Sequence, residues 1–403
     1  MNRKQFFFLL IALVLVGAAG WLVYRRGTGE WQSTGQAMGA KLLPNLPVND
    51  IAQILIQSAT NQVTLERRDN LWRVRERGDY PANFSQISDM LLKFADLKIV
   101  QSQPVGPSQL GRFQLLPLGQ GWGTNAGTLV SFQNAGGATV ASILLGKPHM
   151  KQPTGNSEDG DEGWPDGRYV MALVGHQTLA RISDSIEQGP ERLYSFELAL
   201  ISDSLDNVQP APETWLNKTC LSIEKPLAIS ADFPQATNSW RLVRASETNG
   251  WQLANPRRGE KLDESKIDSV TSPFSSVSFN DVQTVPAKND TNVATLAVET
   301  SDGLDYTAKI GAKQDDEYPV TFFVAARDAR PMIQAASARV GQGTNSDADI
   351  KKQQKQMADK LANDKQYENW VYLLPSYDID SLLKVRGDLL EATKTNAVTS
   401  TGK

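Results

Sequence analysis

The chain has 403 residues, 40% of them hydrophobic and 21% charged, which is a globular composition and too apolar for a disordered chain. The formal net charge is −4, and because Arg3, Lys4, Arg25 and Arg26 contribute +4, the rest of the chain sums to about −8. That acidic remainder has no cluster of basic residues, which argues against general nucleic-acid binding. Cys220 is the single cysteine, so the sequence excludes an internal disulfide and a cysteine-type metal site.

Residues 6–24 are predicted to form a transmembrane anchor, because the run FFFLLIALVLVGAAGWLVY carries no charge. At about 1.5 Å per residue it spans close to the ~30 Å hydrocarbon core of a bilayer. Trp21 and Tyr24 lie near its distal end, where aromatic rings favour the membrane interface. A cleaved signal peptide is the alternative. Its apolar run would normally end after about 7–15 residues, and this run is longer.

The short tail before the anchor favours a cytoplasmic amino terminus and an extracytoplasmic carboxyl-terminal region at a bacterial inner membrane. The basic residues on the two sides of the anchor give only a weak charge bias. Within the anchor, four small residues would allow close approach to another membrane helix, namely Gly17, Ala18, Ala19 and Gly20. The predicted divisions are a tail and anchor at 1–26 and a linker at 27–44.

The next segment, residues 45–218, is predicted to be a first α+β module. Apolar residues alternate near residues 51–57, 63–65 and 71–74, as in half-buried strands. A helix is then expected from about residue 84, with one apolar stripe formed by Ile87, Met90, Leu91, Phe94 and Leu97. Further strands are expected at 128–132, before 147, and at 168–171.

Residues 219–390 repeat this order and predict a second module. Strand candidates at 240–242 and 251–253 precede a helix candidate from residue 262, with Ile267, Val270 and Phe274 on its apolar face. Later strands at 295–299 and 320–323 have counterparts in the first module. We therefore predict tandem duplicated α+β modules with antiparallel sheets, the alternative being two unrelated α+β domains. Trp72 and Trp251 occupy matching positions and are expected in the cores, and residues 391–403 are predicted to be disordered.

Two segments break the symmetry of the modules. Residues 155–167 form an acidic, glycine-rich loop that could gather around Ca²⁺ but lacks the twelve-residue calcium-binding pattern, so a solvated loop is favoured. Residues 329–366 are an insertion containing a polar helix at 346–366 with a thin apolar stripe. The candidate partner or ligand contacts in these and other loops are Trp122, Trp164, Asp159, Asp161, Ile350, Met357 and Leu361.

The sequence carries little that indicates catalysis. The only histidines, His149 and His176, are interpreted as ordinary loop positions outside any catalytic pattern. Residues 119–127 contain spaced glycines but lack the Lys and Ser/Thr of a phosphate-binding loop, so a flexible turn is favoured. We therefore expect a protein that is not an enzyme and has no cofactor or metal.

Several segments resemble the domain-of-unknown-function 4340 family. They are Asn49-Asp50-Ile51, Trp72-Arg73-Val74, residues 80–89 and 105–112, Leu145-Gly146-Lys147, residues 167–170, 202–205 and 215–218. The resemblance covers roughly residues 45–225 well and the second module more loosely. It implies a bacterial, membrane-anchored protein with an accessory role near ABC transporters of the gliding-motility-associated type. It transfers no catalytic residues, and the insertion at 329–366 departs from the family pattern.

These observations favour a non-catalytic extracytoplasmic accessory subunit of an ABC-type transporter or cell-envelope complex. Its expected partners are the bilayer, through residues 6–24, and a transporter permease or other envelope subunits. The alternative is a stand-alone, membrane-anchored envelope protein that binds glycan or peptide.

Overall fold

The computed structural model describes residues 38–118, 125–151, 164–173, 196–284, 292–327 and 347–391. Its first nine strands are β1 (Ile51–Gln57), β2 (Gln62–Arg68), β3 (Leu71–Val74), β4 (Tyr80–Pro81), β5 (Ile99–Val105), β6 (Thr128–Asn134), β7 (Thr139–Lys151), β8 (Trp164–Ala172) and β9 (Phe196–Ile201). Eight strands follow, β10 (Pro226–Asp232), β11 (Trp240–Val243), β12 (Gln252–Leu253), β13 (Asp281–Thr284), β14 (Asn292–Thr300), β15 (Leu304–Gly311), β16 (Glu317–Ala326) and β17 (Trp370–Pro375). The helices are α1 (Phe84–Asp96), α2 (Glu264–Ile267), α3 (Asp347–Lys365) and α4 (Ser376–Asp380).

Short 3₁₀ turns connect many of these elements. They are Val48–Asp50, Arg75–Arg77, Pro107–Phe113, Pro212–Trp215, Ala236–Asn238, Asp268–Val270, Gln366–Asn369 and Arg386–Leu389. The chain is thus a mixed α+β protein with antiparallel sheets, which confirms the predicted fold class at that level. None of the helices in the described ranges is both long and apolar enough to cross a membrane. The predicted anchor at 6–24 lies outside these ranges.

The described residues divide into two compact units. Unit 1 contains those of Met1–Asn70 and Ser85–Ala211, and unit 2 contains Leu71–Phe84 together with those of Pro212–Lys403. The main division therefore falls a few residues before the predicted module boundary at 218/219. Residues 71–84 are grouped with unit 2 although they precede α1 in the chain. Leu42 and Leu43, at the end of the predicted linker 27–44, are buried.

Unit 1 is built on seven antiparallel strands in the order β2-β1-β6-β7-β8-β9-β5. The core strand β1 buries Ile54 and Ile56, which face Leu65 and Val63 of β2 in the strand register. Helix α1 buries Ile87, Met90, Leu91 and Phe94, which confirms four members of the predicted apolar stripe, and the fifth, Leu97, is buried just beyond the end of the helix. The Phe94 ring meets the Phe132 ring of β6 edge to face, with centroids 5.1 Å apart. This helix therefore covers the sheet through the periodic apolar side chains that its sequence supplies.

Besides β3 and β4, unit 2 contains an antiparallel sheet of eight strands in the order β12-β11-β10-β14-β15-β16-β17-β13. Seven of them, β11-β10-β14-β15-β16-β17-β13, follow the same chain path as the seven strands of unit 1. The pairing of β1 with β6 has a register shift between Ile51 and Gln53, and the pairing of β10 with β14 has one between Pro226 and Ala228. The order of strand pairing is therefore common to both units.

The helical parts of unit 2 differ from the prediction. Helix α2 is a single turn, capped by the Asp263 carboxylate, which accepts a hydrogen bond from the Ser265 backbone. Ile267, Val270 and Phe274 are all buried as predicted, but Phe274 is not on a helix. The expectation of one continuous helix face was wrong there, because the chain passes into a 3₁₀ turn and Phe274 then adopts a left-handed backbone with φ of 59°.

Candidate interaction site in unit 1

Strand β7 continues past its neighbour β6. The last β6–β7 pair is Thr128 with Leu145, whereas β7 goes on to pair with β8 as far as Lys151 opposite Trp164. Residues 147–151 and 164–168 therefore form a two-stranded extension, here called the β7–β8 arm. Its register slips between Leu145 and Pro148 and again between His149 and Met150. Such bulges bend a strand pair and redirect its side chains.

Two glycines allow the close packing at the base of the arm. A Cβ atom on Gly146 would lie 2.3 Å from the carbonyl oxygen of Phe113. One on Gly167 would lie 2.3 Å from the carbonyl oxygen of Ile201. Both neighbours are backbone atoms, which cannot rotate away as a flexible side chain can. The base of the arm is therefore pressed against adjoining segments of unit 1 at positions where only glycine fits.

A histidine and an aspartate from the two strands are paired on the arm. The Nδ1 atom of His149 lies 2.7 Å from Oδ1 of Asp166, and both side chains are about one-third exposed. The His149 ring also meets the ring of Tyr169, with centroids 5.8 Å apart. Because Asp166 falls at the register slip, the bulge brings its carboxylate to the imidazole. The pair links the two strands and fixes the orientation of the ring.

Aromatic and cationic groups continue this cluster towards the base of the arm. The rings of Phe113 and Tyr169 have centroids 4.9 Å apart. The Lys147 ammonium lies 5.4 Å from the centre of the Phe113 ring and 5.9 Å from that of Tyr169. Ammonium groups at these distances are attracted by the negative face of an aromatic ring. The arm is therefore supported by rigid rings.

Arg168 ties the arm to the loop that follows β9. Its Nη2 atom lies 3.3 Å from Oδ1 of Asp206, and Oδ2 of the same carboxylate accepts a hydrogen bond from the Ser204 hydroxyl. Burial lowers the pKa of the Arg168 guanidinium, and the carboxylates of Asp206 and Asp203 act in the opposite direction. Within the described part of the chain, its Nε atom is buried with no hydrogen-bond partner. The guanidinium thus anchors the arm through one of its edges.

The tip of the arm presents apolar side chains to solvent. Trp164 is 52% exposed and Met150 is 43% exposed. Met150 lies opposite Pro165 in the strand register and Lys151 lies opposite Trp164, so Met150 and Trp164 are on opposite faces of the arm. Trp164, one of the predicted contact residues, is thus on a structured strand. A large ring and a flexible thioether on a braced extension are the side-chain types that protein interfaces use as anchors.

The remaining predicted contact residues have different outcomes. Outside the described residues lie Trp122, Asp159, Asp161 and the four small residues of the anchor, Gly17, Ala18, Ala19 and Gly20. The predicted polar helix at 346–366 is observed as α3, in which Met357 and Leu361 are half-buried and the Ile350 side chain is not described.

Helix α3 is held to the body of unit 2 by polar contacts. The Tyr306 hydroxyl donates a hydrogen bond of 2.6 Å to Asp364, and Lys360 lies 3.5 Å from Asp302. Burial raises the pKa of the Asp364 carboxyl. This helix is therefore packed against the body of unit 2.

The sequence analysis missed most of this site. His149 was interpreted as a loop residue, which is wrong, because it lies within strand β7. Asp166 was considered only as part of the acidic loop that could gather around Ca²⁺, and Arg168 and Tyr169 were not singled out as site residues. A signal was present, since alternating residues of β7 and β8 could have been paired across the hairpin, but the two register slips make that pairing hard to infer. Of the two tryptophans expected in the cores, Trp72 is buried and Trp251 is half-buried beneath the Arg244 guanidinium at 4.6 Å.

No family model, curated protein or solved structure matches the chain. The resemblance to the domain-of-unknown-function 4340 family therefore stays a prediction. In the ranges that the structure describes, no group of three or more His, Cys, Asp or Glu side chains is placed to hold a metal ion. His149 makes its side-chain hydrogen bond there with Asp166 and none with a hydroxyl or thiol group.

Proposed function

We propose that the protein is a non-catalytic accessory subunit of an ABC-type transporter or cell-envelope complex, acting by protein–protein interaction through the β7–β8 arm. The observation that carries the proposal is the exposed Trp164 ring on a two-stranded extension braced by the His149–Asp166 pair. Buried tryptophans commonly dominate the free energy of protein interfaces, and a rigid support reduces the entropy lost on binding.

The proposed setting is the extracytoplasmic side of a bacterial inner membrane. It is supported by the uncharged run at residues 6–24 and by the resemblance to a family of anchored proteins encoded near ABC transporters. The anchor would contact permease helices through Gly17, Ala18, Ala19 and Gly20. We further propose that the two units descend from one duplicated α+β module, which the shared order of seven strands supports.

Site-specific photocrosslinking in cells tests the interaction. A photoreactive phenylalanine analogue would replace Trp164 in the full-length protein, and crosslinked membrane complexes would be identified by mass spectrometry. Leu92 on α1 is the matched control, because it is also apolar, lies in unit 1 and is 59% exposed. We expect permease or envelope subunits to be captured from position 164 and not from position 92. Equal capture at both positions, or an uncrosslinked monomer, would contradict the proposal.

The Trp164→Ala variant gives a quantitative version of the same test. Removing a central tryptophan from an interface costs about 2 kcal/mol or more, which corresponds to roughly a thirtyfold loss of affinity. The variant should nevertheless fold normally, because the ring is about half exposed.

A stand-alone binding protein for glycan or peptide is the second candidate. It is favoured by the same exposed ring, since a solvent-facing tryptophan can also stack against a sugar. Recovery of glycan or peptide adducts from position 164, with no envelope protein, would support this candidate over the accessory subunit.

A further inference from the structure

Unit 2 contains a cleft of about 150 Å³ that is unrelated to the β7–β8 arm. It lies between the segment 269–278 and the segment 374–382, which includes the end of β17 and helix α4. Six serines and one aspartate, Asp378, line it, together with five apolar residues. A liquid-water molecule occupies about 30 Å³, so the cleft has room for a small organic molecule.

Four of the serines are exposed at the rim of the cleft, and their hydroxyls make no hydrogen bond within the described residues. Ser269 donates to the carbonyl oxygen of Ser381 at 3.3 Å, and Ser381 donates to that of Asp378 at 3.2 Å. The hydroxyls of the others make no hydrogen bond in the described part of the chain, and they belong to Ser272, Ser275, Ser276 and Ser278. Each such hydroxyl can donate one hydrogen bond and accept two. The cleft therefore offers several acceptors to a ligand.

Asp378 is the only charged side chain that lines the cleft, and it has no ion-pair partner among the described residues. The nearby Asp380 differs, because its Oδ1 accepts a hydrogen bond of 2.7 Å from the Tyr318 hydroxyl and its Oδ2 lies 3.8 Å from Lys313. Burial raises the pKa of the Asp378 carboxyl. The carboxylate is partly withdrawn from water and has no counter-ion among the described residues, so a cation in the cleft would be attracted to it.

We propose that this cleft binds a small organic ligand that carries a primary ammonium group, with Asp378 as its counter-charge and serine hydroxyls as its further acceptors. An ammonium has three N–H donors, which one carboxylate and two hydroxyls can satisfy. The apolar walls, which include Phe274, Val277 and Leu382, would contact the carbon chain of the ligand. A bare metal ion would leave these walls and most of the volume unused.

Acidification should weaken this binding. The ligand requires ionised Asp378, and a raised carboxyl pKa means that protonation begins at a higher pH than for an exposed aspartate. In the described residues, Asp378 and the serines are the polar side chains facing the cleft from both segments, so no other titratable group faces the bound ammonium. Binding should therefore be constant near pH 7–8 and decline towards pH 4.

The test is calorimetry and thermal unfolding of the full-length chain with n-butylammonium as the probe. 1-Butanol and glucose are the neutral comparisons, and the variants are Asp378→Asn and Asp380→Asn. We expect millimolar-range binding of n-butylammonium, reduced about tenfold or more in Asp378→Asn and retained in Asp380→Asn. Neither variant should prevent folding, because Asp378→Asn removes a desolvated charge and Asp380 is largely exposed.

The outcomes are distinct. Binding of n-butylammonium that depends on Asp378 and is absent for 1-butanol supports the ammonium site. Binding of glucose in its place would overturn the proposal and assign the cleft to hydroxylated ligands. Equal binding by wild type and Asp378→Asn, or no binding by any probe, would also overturn it. None of these results bears on the arm, so the two proposals fail or stand separately.

Discussion

Two tyrosines in one aromatic cluster of unit 2 should respond in opposite directions to the same substitution. Tyr80 and Tyr372 are both buried, and the Tyr80 ring meets the rings of Trp370 and Phe279 edge to face, at 4.9 Å and 5.9 Å. The Tyr372 hydroxyl donates to the carbonyl oxygen of Tyr367 at 3.2 Å. The Tyr80 hydroxyl faces that of Tyr372 but makes no hydrogen bond of good geometry within the described residues. Tyr80→Phe therefore removes a hydroxyl without a good hydrogen bond, whereas Tyr372→Phe removes a hydrogen-bonded hydroxyl from the same aromatic cluster.

The expected magnitudes follow from the cost of burying a polar group. An unpaired buried hydroxyl costs about 1–3 kcal/mol, so Tyr80→Phe should raise the free energy of unfolding by about 1 kcal/mol while the ring contacts persist. Tyr372→Phe removes a hydrogen bond and should lower it by about 1 kcal/mol. For a unit of this size the two variants should differ in melting temperature by roughly 4–8 °C.

Thermal and urea unfolding of the full-length chain, followed by tryptophan fluorescence, would measure both changes. Trp370 lies inside the cluster and contributes to the emission together with the other tryptophans of the chain. The Tyr80→Ala variant is the control for the ring itself and should lose about 3–5 kcal/mol. If Tyr80→Phe is destabilised as much as Tyr372→Phe, the Tyr80 hydroxyl is satisfied in the folded protein and the reasoning is refuted.

Two further predictions concern packing and charge. Gly167→Ala should destabilise unit 1 by about 1–3 kcal/mol in urea titrations, because its Cβ would meet the Ile201 carbonyl oxygen at 2.3 Å. Gly106→Ala, with no atom within 4 Å, should change stability by less than about 0.5 kcal/mol, and similar losses in both would contradict the packing argument. In unit 2, hydrogen bonds from Arg386 lower the pKa of Glu260 to about 2. Because this folded-state pKa lies below the usual value, the pair stabilises above about pH 4.5 and the contribution is lost as the pH falls towards 2. Glu260→Gln should therefore cost about 2 kcal/mol at pH 7 and converge with wild type near pH 2, and a constant difference would refute the pairing.

Residues 71–84 show that local sequence does not determine which part of the chain a segment packs against. Their alternating pattern predicts strand and turn, and β3 and β4 are observed. Their placement in unit 2 depends on distant partners. Arg77 forms a bidentate ion pair with Asp281, with N–O distances of 2.7 Å and 2.8 Å. The backbone amide of Asn83 donates a hydrogen bond to the carbonyl oxygen of Trp215. These contacts bridge more than a hundred residues of chain, and no local periodicity encodes such a separation.

The sequence by itself determined the features that depend on near neighbours. The apolar stripe of α1, the polar helix α3 and the strand segments of both units follow from periods of 3.6 and 2 residues, which fix the face that each side chain occupies. The tertiary structure alone decided which strands pair, that Phe274 leaves the helical path, and that the β7 and β8 slips bring Asp166 to His149. Strand partners and register are chosen by the burial of the whole sheet, and one bulge moves every following side chain to a new neighbour. The candidate site was therefore not recognisable as a sequence motif. It forms because the register slips bend strands β7 and β8 and bring their side chains together.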